Sequence, residues 1–212
     1  MNSTKVKICG ITNLEDAKFA VQAGANYLGF NFYEKSPRYI SPLDAQVIIR
    51  QLPATCEYIG VFVNHSREEI NHIAKQASLT GLQFHGDENL DFCKNWDSYT
   101  TIKAIRVSET TTQQELLDYS SVCDFLLLDA YNKNSYGGTG EQIKNVLLEK
   151  ILSPDILKRT FLAGGLNPNN VRNMLICYQP FAVDTASGIE QTPKIKDKNK
   201  ILEFIKQIKA VN

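Results

Sequence analysis

The chain has 212 residues, 43% hydrophobic and 22% charged, a globular balance that excludes a disordered, collagenous or coiled-coil protein. Its 23 basic and 23 acidic side chains cancel to a net charge of zero, so it lacks the basic excess with which nucleic-acid-binding proteins grip phosphates. No apolar run approaches the roughly 20 residues that span a bilayer, and five dispersed cysteines without a CxxC pair point to reduced thiols in a cytoplasmic protein, not to a disulfide or zinc framework.

From Met1-Asn2-Ser3-Thr4-Lys5 the chain enters a strand-like run, Val6 to Ile11, without the apolar stretch of a signal peptide. Asn13 then caps a helix whose Ala17, Ala20 and Val21 share a face and which Gly24 ends. Tyr27 to Phe32 reads as a second strand, followed by a helix opened by Ser41-Pro42. Tyr58 to Val63 is a third strand, and Ser66 with Glu69 forms a capping box for the helix carrying Ile70, Ile73, Ala74 and Ala77. Gly81 to His85 is a short strand before a helix from Glu88; Thr101 to Val107 precedes a helix at Gln113 to Tyr119. Asp124 to Asp129 reads as a buried strand, then a glycine-rich loop and a helix at Glu141 to Ile151. Thr160 to Ala163 leads to a helix capped by Asn167-Pro168, and Phe181 to Asp184 to a helix with Ile201, Phe204, Ile205 and Ile208 inward.

Strict alternation predicts a parallel sheet covered by helices. Eight strand–helix units favour closure into a single (β/α)8 barrel, a TIM barrel of eight parallel strands, over the open doubly wound sheet that the same pattern permits. No linker or low-complexity stretch interrupts residues 1–212, which read as one domain.

In such a barrel the active site lies at the C-terminal ends of the strands. The polar residues predicted there are Lys7, Cys9, Asn31, His85, Arg106, Asp129 and Asp184. Alternation puts Lys7 with Cys9, and Gln83 with His85, on common strand faces. Taken singly, Cys9 also reads as a small buried hydrophobe and Asp129 as a helix cap. Gly164-Gly165 and Ser187-Gly188 follow strands 7 and 8, where barrel enzymes hold phosphate. Glycine admits close backbone approach there, although plain turn chemistry explains a single Gly pair as well.

Read in order, several segments resemble the phosphoribosylanthranilate isomerase family of tryptophan biosynthesis. They are Lys7-Ile8-Cys9-Gly10-Ile11-Thr12, Ser36-Pro37-Arg38, Gly60-Val61-Phe62-Val63, Gln83-Phe84-His85-Gly86-Asp87-Glu88 and Leu128-Asp129 with Gly137-Gly138-Thr139-Gly140. Leu162 to Leu166 and Val183 to Glu190 complete the series. The chain departs from the family at Ala186, where a serine is usual, at Ile143-Lys144-Asn145, where an aromatic-Asp-Trp segment is usual, and at Lys194, where a glycine is common.

The resemblance implies a barrel without metal or organic cofactor that performs the Amadori rearrangement of N-(5-phosphoribosyl)anthranilate. It implies Cys9 as the base at C2, in a site expected to lower the thiol pKa, and Asp129 as the acid at the ring oxygen. Arg38 would pair with the anthranilate carboxylate and Asp184 with sugar hydroxyls. His85 would contact substrate or serve structure, Gly138 would contact substrate, and Gly164, Gly165, Ser187 and Gly188 would hold the phosphate. The partner implied is a small-molecule substrate, neither nucleic acid nor membrane, with the chain a monomer or a homodimer. Rival readings are another sugar-phosphate barrel enzyme and a non-catalytic ligand-binding barrel. Only three histidines, with Cys9 and Asp129 both at strand ends, argue against them.

Overall fold

The computed structural model describes residues 3–131 and 142–211. Eight parallel strands close on themselves in sequence order: β1 (Lys5–Cys9), β2 (Tyr27–Asn31), β3 (Glu57–Phe62), β4 (Gly81–Phe84), β5 (Thr100–Val107), β6 (Phe125–Ala130), β7 (Thr160–Leu162) and β8 (Ala182–Thr185). The β1–β8 ladder that seals the barrel sets Lys7 opposite Asp184, and the β1–β2 ladder sets Cys9 opposite Gly29. The open doubly wound alternative is thereby excluded.

Helices α1 (Leu14–Ala23), α2 (Pro42–Ile49), α3 (Arg67–Ala77), α4 (Leu90–Cys93), α5 (Gln113–Ser120), α6 (Asn145–Ile151), α7 (Pro154–Leu157), α8 (Val171–Tyr178) and α9 (Lys198–Lys209) connect and cover the strands. The start and stop chemistry is local. The Asn13 side chain accepts from the Asp16 N–H at 2.8 Å, and Gly24 ends α1 at φ 118°, a left-handed position that costs glycine little. At α3 the Ser66 hydroxyl accepts from the Glu69 N–H while the Glu69 carboxylate accepts from the Ser66 N–H at 2.7 Å, the reciprocal capping box. None of the described helices is long and apolar enough to cross a membrane.

Elsewhere the structure departs from the sequence pattern. The helix expected from Glu88 is the single turn α4, capped by Asn89. Glu88 is instead buried, its carboxylate 2.7 Å from the Lys103 Nζ, so the ion pair takes the residue that propensity would give to a helix. Only Asn145–Ile151 of the next helix is present among the described residues, and the unexpected α7 precedes β7 behind a Ser153-Pro154 start. Asn167 organises a turn rather than the first residue of a regular helix. Its side chain accepts from the Asn169 N–H and its carbonyl from those of Asn170 and Val171, and α8 begins at Val171. A hairpin of β9 (Glu190–Thr192) and β10 (Ile195–Lys196) was not legible, since strands of three and two residues carry no alternation. Gly137 to Glu141 lie outside the described residues.

The core has an outer and an inner part. Outside the barrel wall, Ile8, Phe30, Phe62, Phe84 and Val183 pack against the helices, joined by Phe204 and Ile205 of α9; Leu126, Leu128 and Leu162 meet Leu116, Leu148 and Ile156 on the other side. Inside, Ile59, Ile102, Ala104, Leu127, Phe161 and Ala182 fill the lumen. Phe161 is fully buried, edge-on to Tyr27 and Phe125 at 5.1 and 5.5 Å, and truncating such a side chain costs about 3–5 kcal/mol. This apolar floor closes the lower barrel and leaves its upper end for polar groups.

Candidate active site

Above the floor, lumen-facing positions of β1, β4, β6 and β8 turn polar. The fully buried Lys7 Nζ donates to Gln83 Oε1 at 2.8 Å and to Asp184 Oδ1 at 2.7 Å. Burial pulls the Lys7 pKa down, but Asp184, followed by Cys9, outweighs burial and holds it above the ordinary lysine value. The Gln83 Nε2 lies 2.7 Å from His85 Nδ1. His85 extends the β4 ladder through its N–H to Phe62 O at 2.8 Å, and its Nε2 stands 3.5 Å from Asp129 Oδ2. The other Asp129 oxygen accepts from the Ala130 N–H at 2.8 Å.

Cys9 ends β1 beside this row. A Cβ on its β2 neighbour Gly29 would lie 2.6 Å from the Cys9 Sγ, so the absence of a side chain at 29 makes the room for the thiol. Burial pushes the Cys9 thiol above its ordinary value. Lys7, Lys196 and Arg38 act in the opposite sense, and Asp184 reinforces the rise. The lowered thiol pKa expected from the sequence is therefore not found: cations surround the sulfur, but desolvation outweighs them.

Arg38 reaches the mouth through a short loop. Asn31 and Ser36 fold it back: Asn31 Nδ2 donates to Ser36 Oγ, which also accepts from the Arg38 N–H, both at 3.1 Å. The side chain then crosses Gly10, where a Cβ would come within 2.5 Å of Arg38 Cδ. Its Nε and Nη2 donate to Glu190 Oε1 and Oε2 at 2.9 and 2.7 Å. Lys196 is fully buried and donates to the same Glu190, to Cys9 O at 2.7 Å and to Ala186 O. Burial pulls Glu190 up, yet Arg38 and Lys196 together hold it below the usual carboxylate range. This Arg38–Glu190–Lys196 network was not legible beforehand, because its members lie up to 158 positions apart with no shared period.

Asp129, Asp184, Gly164, Gly165, Ser187 and Gly188 line one cleft. Gly164 and Gly165 adopt φ of 79° and 64°, which glycine alone enters freely. The amides of Asn167 and Asn170 donate to Gly165 O and fix this loop. A Cβ at Gly188 would lie 2.0 Å from Leu166 O, so the two loops touch only because 188 is glycine. Gly164, Gly165, Ser187 and Gly188 thus meet just beyond the C-terminal ends of β7 and β8, the position at which barrel enzymes hold phosphate. Of the sequence-predicted residues, Gly138 lies outside the described residues, and Arg106 turns away to Asp87 at 2.7 Å.

Fold and mouth define a (β/α)8-barrel enzyme with its polar groups gathered above an apolar lumen. The particular family follows from comparison. Residues 6–207 match the family model of N-(5'phosphoribosyl)anthranilate (PRA) isomerase, and the chain belongs to that family. It is 43% identical over 206 residues to the N-(5'-phosphoribosyl)anthranilate isomerase of Trichlorobacter lovleyi, covering 97% of this chain and 98% of that one. Among solved structures it resembles a phosphoribosyl anthranilate isomerase in complex with reduced 1-(o-carboxyphenylamino)-1-deoxyribulose 5-phosphate, with a TM-score of 0.84 at 40% identity over 98% of this chain and 99% of that one. It likewise resembles monomers generated from the dimeric Thermotoga maritima enzyme, with a TM-score of 0.83 at 40% identity and the same coverage.

Proposed function

We infer that the chain isomerises N-(5'-phosphoribosyl)anthranilate in tryptophan biosynthesis by general acid–base chemistry, with Asp129 as the acid and Cys9 as the base. The observation that carries this reading is that Asp129 shares one cleft with the glycine-built anion cradle, while Cys9 ends β1 at the same mouth. Bound through its phosphate, the substrate presents its ribose between the two groups. Asp129 gives its proton to the ring oxygen, the C1–O bond breaks, and the anilino nitrogen lone pair forms the C1=N iminium. The Cys9 thiolate removes the C2 proton, whose bonding pair becomes the C1=C2 bond of the enolamine. Loss of the C2 hydroxyl proton and protonation at C1 give the ketone, so atoms and charge balance without a co-reactant.

Arg38, held by Glu190 through one edge of its guanidinium, keeps Nη1 for the anthranilate carboxylate, and Asp184 meets the sugar hydroxyls. Gly164, Gly165, Ser187 and Gly188 supply N–H groups to the phosphate. The thiol acts from a minority thiolate form, since burial holds it protonated. Every described residue assigned here comes from one chain, so a monomer and a homodimer are both complete, and light scattering distinguishes them. The free thiols, Cys177 among them exposed, suit the reducing cytoplasm. The decisive experiment follows anthranilate fluorescence during turnover. Wild-type protein converts the substrate; a protein that binds the reduced product analogue without turnover would defeat the reading.

A further inference from the structure

Five lumen side chains form one row: Asp184, Lys7, Gln83, His85 and Asp129, with separations of 2.7, 2.8, 2.7 and 3.5 Å. The direction of every hydrogen bond in it is set from one end. A lysine ammonium has three donors and no acceptor. It therefore faces the oxygen of the Gln83 amide, and the NH2 group of that amide must point at His85. An NH2 group only donates, so His85 Nδ1 is the acceptor and carries no proton. The imidazole proton stands on Nε2. That atom is the one buried side-chain nitrogen or oxygen without a hydrogen-bond partner among the described residues, and it stands 3.5 Å from Asp129 Oδ2.

We propose that Lys7 and Gln83 are positioning residues that lock His85 in its Nε2–H tautomer, reserving that N–H as a donor to Asp129 Oδ2. The inference rests on the reading of Asp129 as the acid. When Asp129 releases its proton, Oδ1 already holds the Ala130 N–H and Oδ2 acquires charge with no donor yet engaged. The His85 N–H then closes from 3.5 Å to hydrogen-bond distance and stabilises the new carboxylate. The bond is strong only after proton transfer, so it favours the products of that step over its reactants. His85 held this way offers Asp129 a donor and no lone pair, and does not compete with the substrate for the acid's proton.

The test is Gln83→Glu, which keeps the shape and reverses the donor. A carboxylate there accepts from Lys7 and from His85 Nδ1–H, and places a proton on the wrong ring nitrogen. Two-bond 1H–15N spectra of the substrate-free protein report the tautomer, with His85 assigned by its loss in His85→Asn. The wild type should show Nε2–H, and Gln83→Glu should gain a proton on Nδ1. Turnover of the variant should fall about 10–100-fold, the range for one hydrogen bond to a charged group, with binding of the reduced product analogue retained. His85→Asn, whose amide also donates, should recover more activity than His85→Ala. An Nδ1–H tautomer in the wild type overturns the proposal, as does a Gln83→Glu protein with altered tautomer and unchanged kcat. If the wild type shows Nε2–H but lacks turnover, the functional reading fails and the tautomer lock stands.

Discussion

Arg38 and Glu190 meet edge to edge, with Nε–Oε1 and Nη2–Oε2 distances of 2.9 and 2.7 Å, so this guanidinium is already half engaged before any ligand arrives. A fork bonded on one edge is held rigid, and the remaining donors point one way. Such preorganisation favours a planar carboxylate over a point anion.

Arg38→Ala should therefore weaken binding of the reduced product analogue by about 1.5–3 kcal/mol, the worth of a charged hydrogen bond. Ribulose 5-phosphate, which lacks the anthranilate carboxylate, should lose little. Arg38→Lys should recover part of the affinity, because its single ammonium cannot serve Glu190 and a carboxylate in the same geometry. Calorimetric titration with both ligands checks this, and equal affinity of the Ala variant and the wild type for the analogue would reassign the residue.

The cradle gives a second prediction. Gly165 stands at φ 64°, where a β-branched side chain is strained whatever the space around it. Gly165→Val should raise KM about tenfold or more, equivalent to about 1.4 kcal/mol, and should raise the inhibition constant of inorganic phosphate by a similar factor. Initial rates against both concentrations decide it; a variant with unchanged KM and unchanged phosphate inhibition would remove the loop from the site.

Lys194 offers a prediction about stability alone. It is exposed and sits at φ 78° in the turn that joins β9 to β10, directly after Pro193. Proline followed by a positive φ is the type II arrangement, which wants glycine at the second position. A side chain in the left-handed region costs roughly 1–2 kcal/mol, against about 0.5–1 kcal/mol for the extra chain entropy of glycine. Lys194→Gly should thus stabilise the fold by about 0.5–1 kcal/mol and raise Tm by roughly 2 °C. Thermal unfolding by circular dichroism measures it, and a lowered Tm would show that Lys194 contributes something its turn conformation does not reveal.

Much of this was legible in the sequence because it is local. Asn13, Gly24, Ser66 and Glu69 act within four residues of themselves, and alternation alone puts Lys7 beside Cys9 and Gln83 beside His85. What was illegible is what depends on barrel closure. The Lys7–Asp184 pair spans 177 positions, and it exists because β1 and β8 meet in one register. Glu190 and Lys196 sit on a hairpin too short to carry a pattern, and Gly29 matters only because Cys9 lies across the ladder from it. The thiol pKa failed for a different reason. A sequence displays the neighbouring cations, whereas desolvation is a property of the packed surroundings.

That raised thiol shapes the last prediction. The folded state keeps the Cys9 proton above the ordinary thiol value of about 8.5, while the unfolded chain releases it. The folded state then binds more protons than the unfolded, so stability is complete below that value and falls as pH rises through it toward the folded-state value. Cys9→Ala should flatten this alkaline loss in urea titrations run from pH 7 to 10. In the same window iodoacetamide should modify exposed Cys177 faster than Cys9, with the Cys9 rate still climbing past pH 9 and suppressed by bound product analogue. For catalysis the working form needs Asp129 protonated and Cys9 ionised. Cys9→Ala and Asp129→Asn should each lower kcat by about 10²–10⁴-fold with the analogue still bound, and Cys9→Ser should be nearly as poor as Ala. A Cys9→Ala protein retaining more than about a tenth of wild-type kcat where chemistry limits the rate would move the base to another residue.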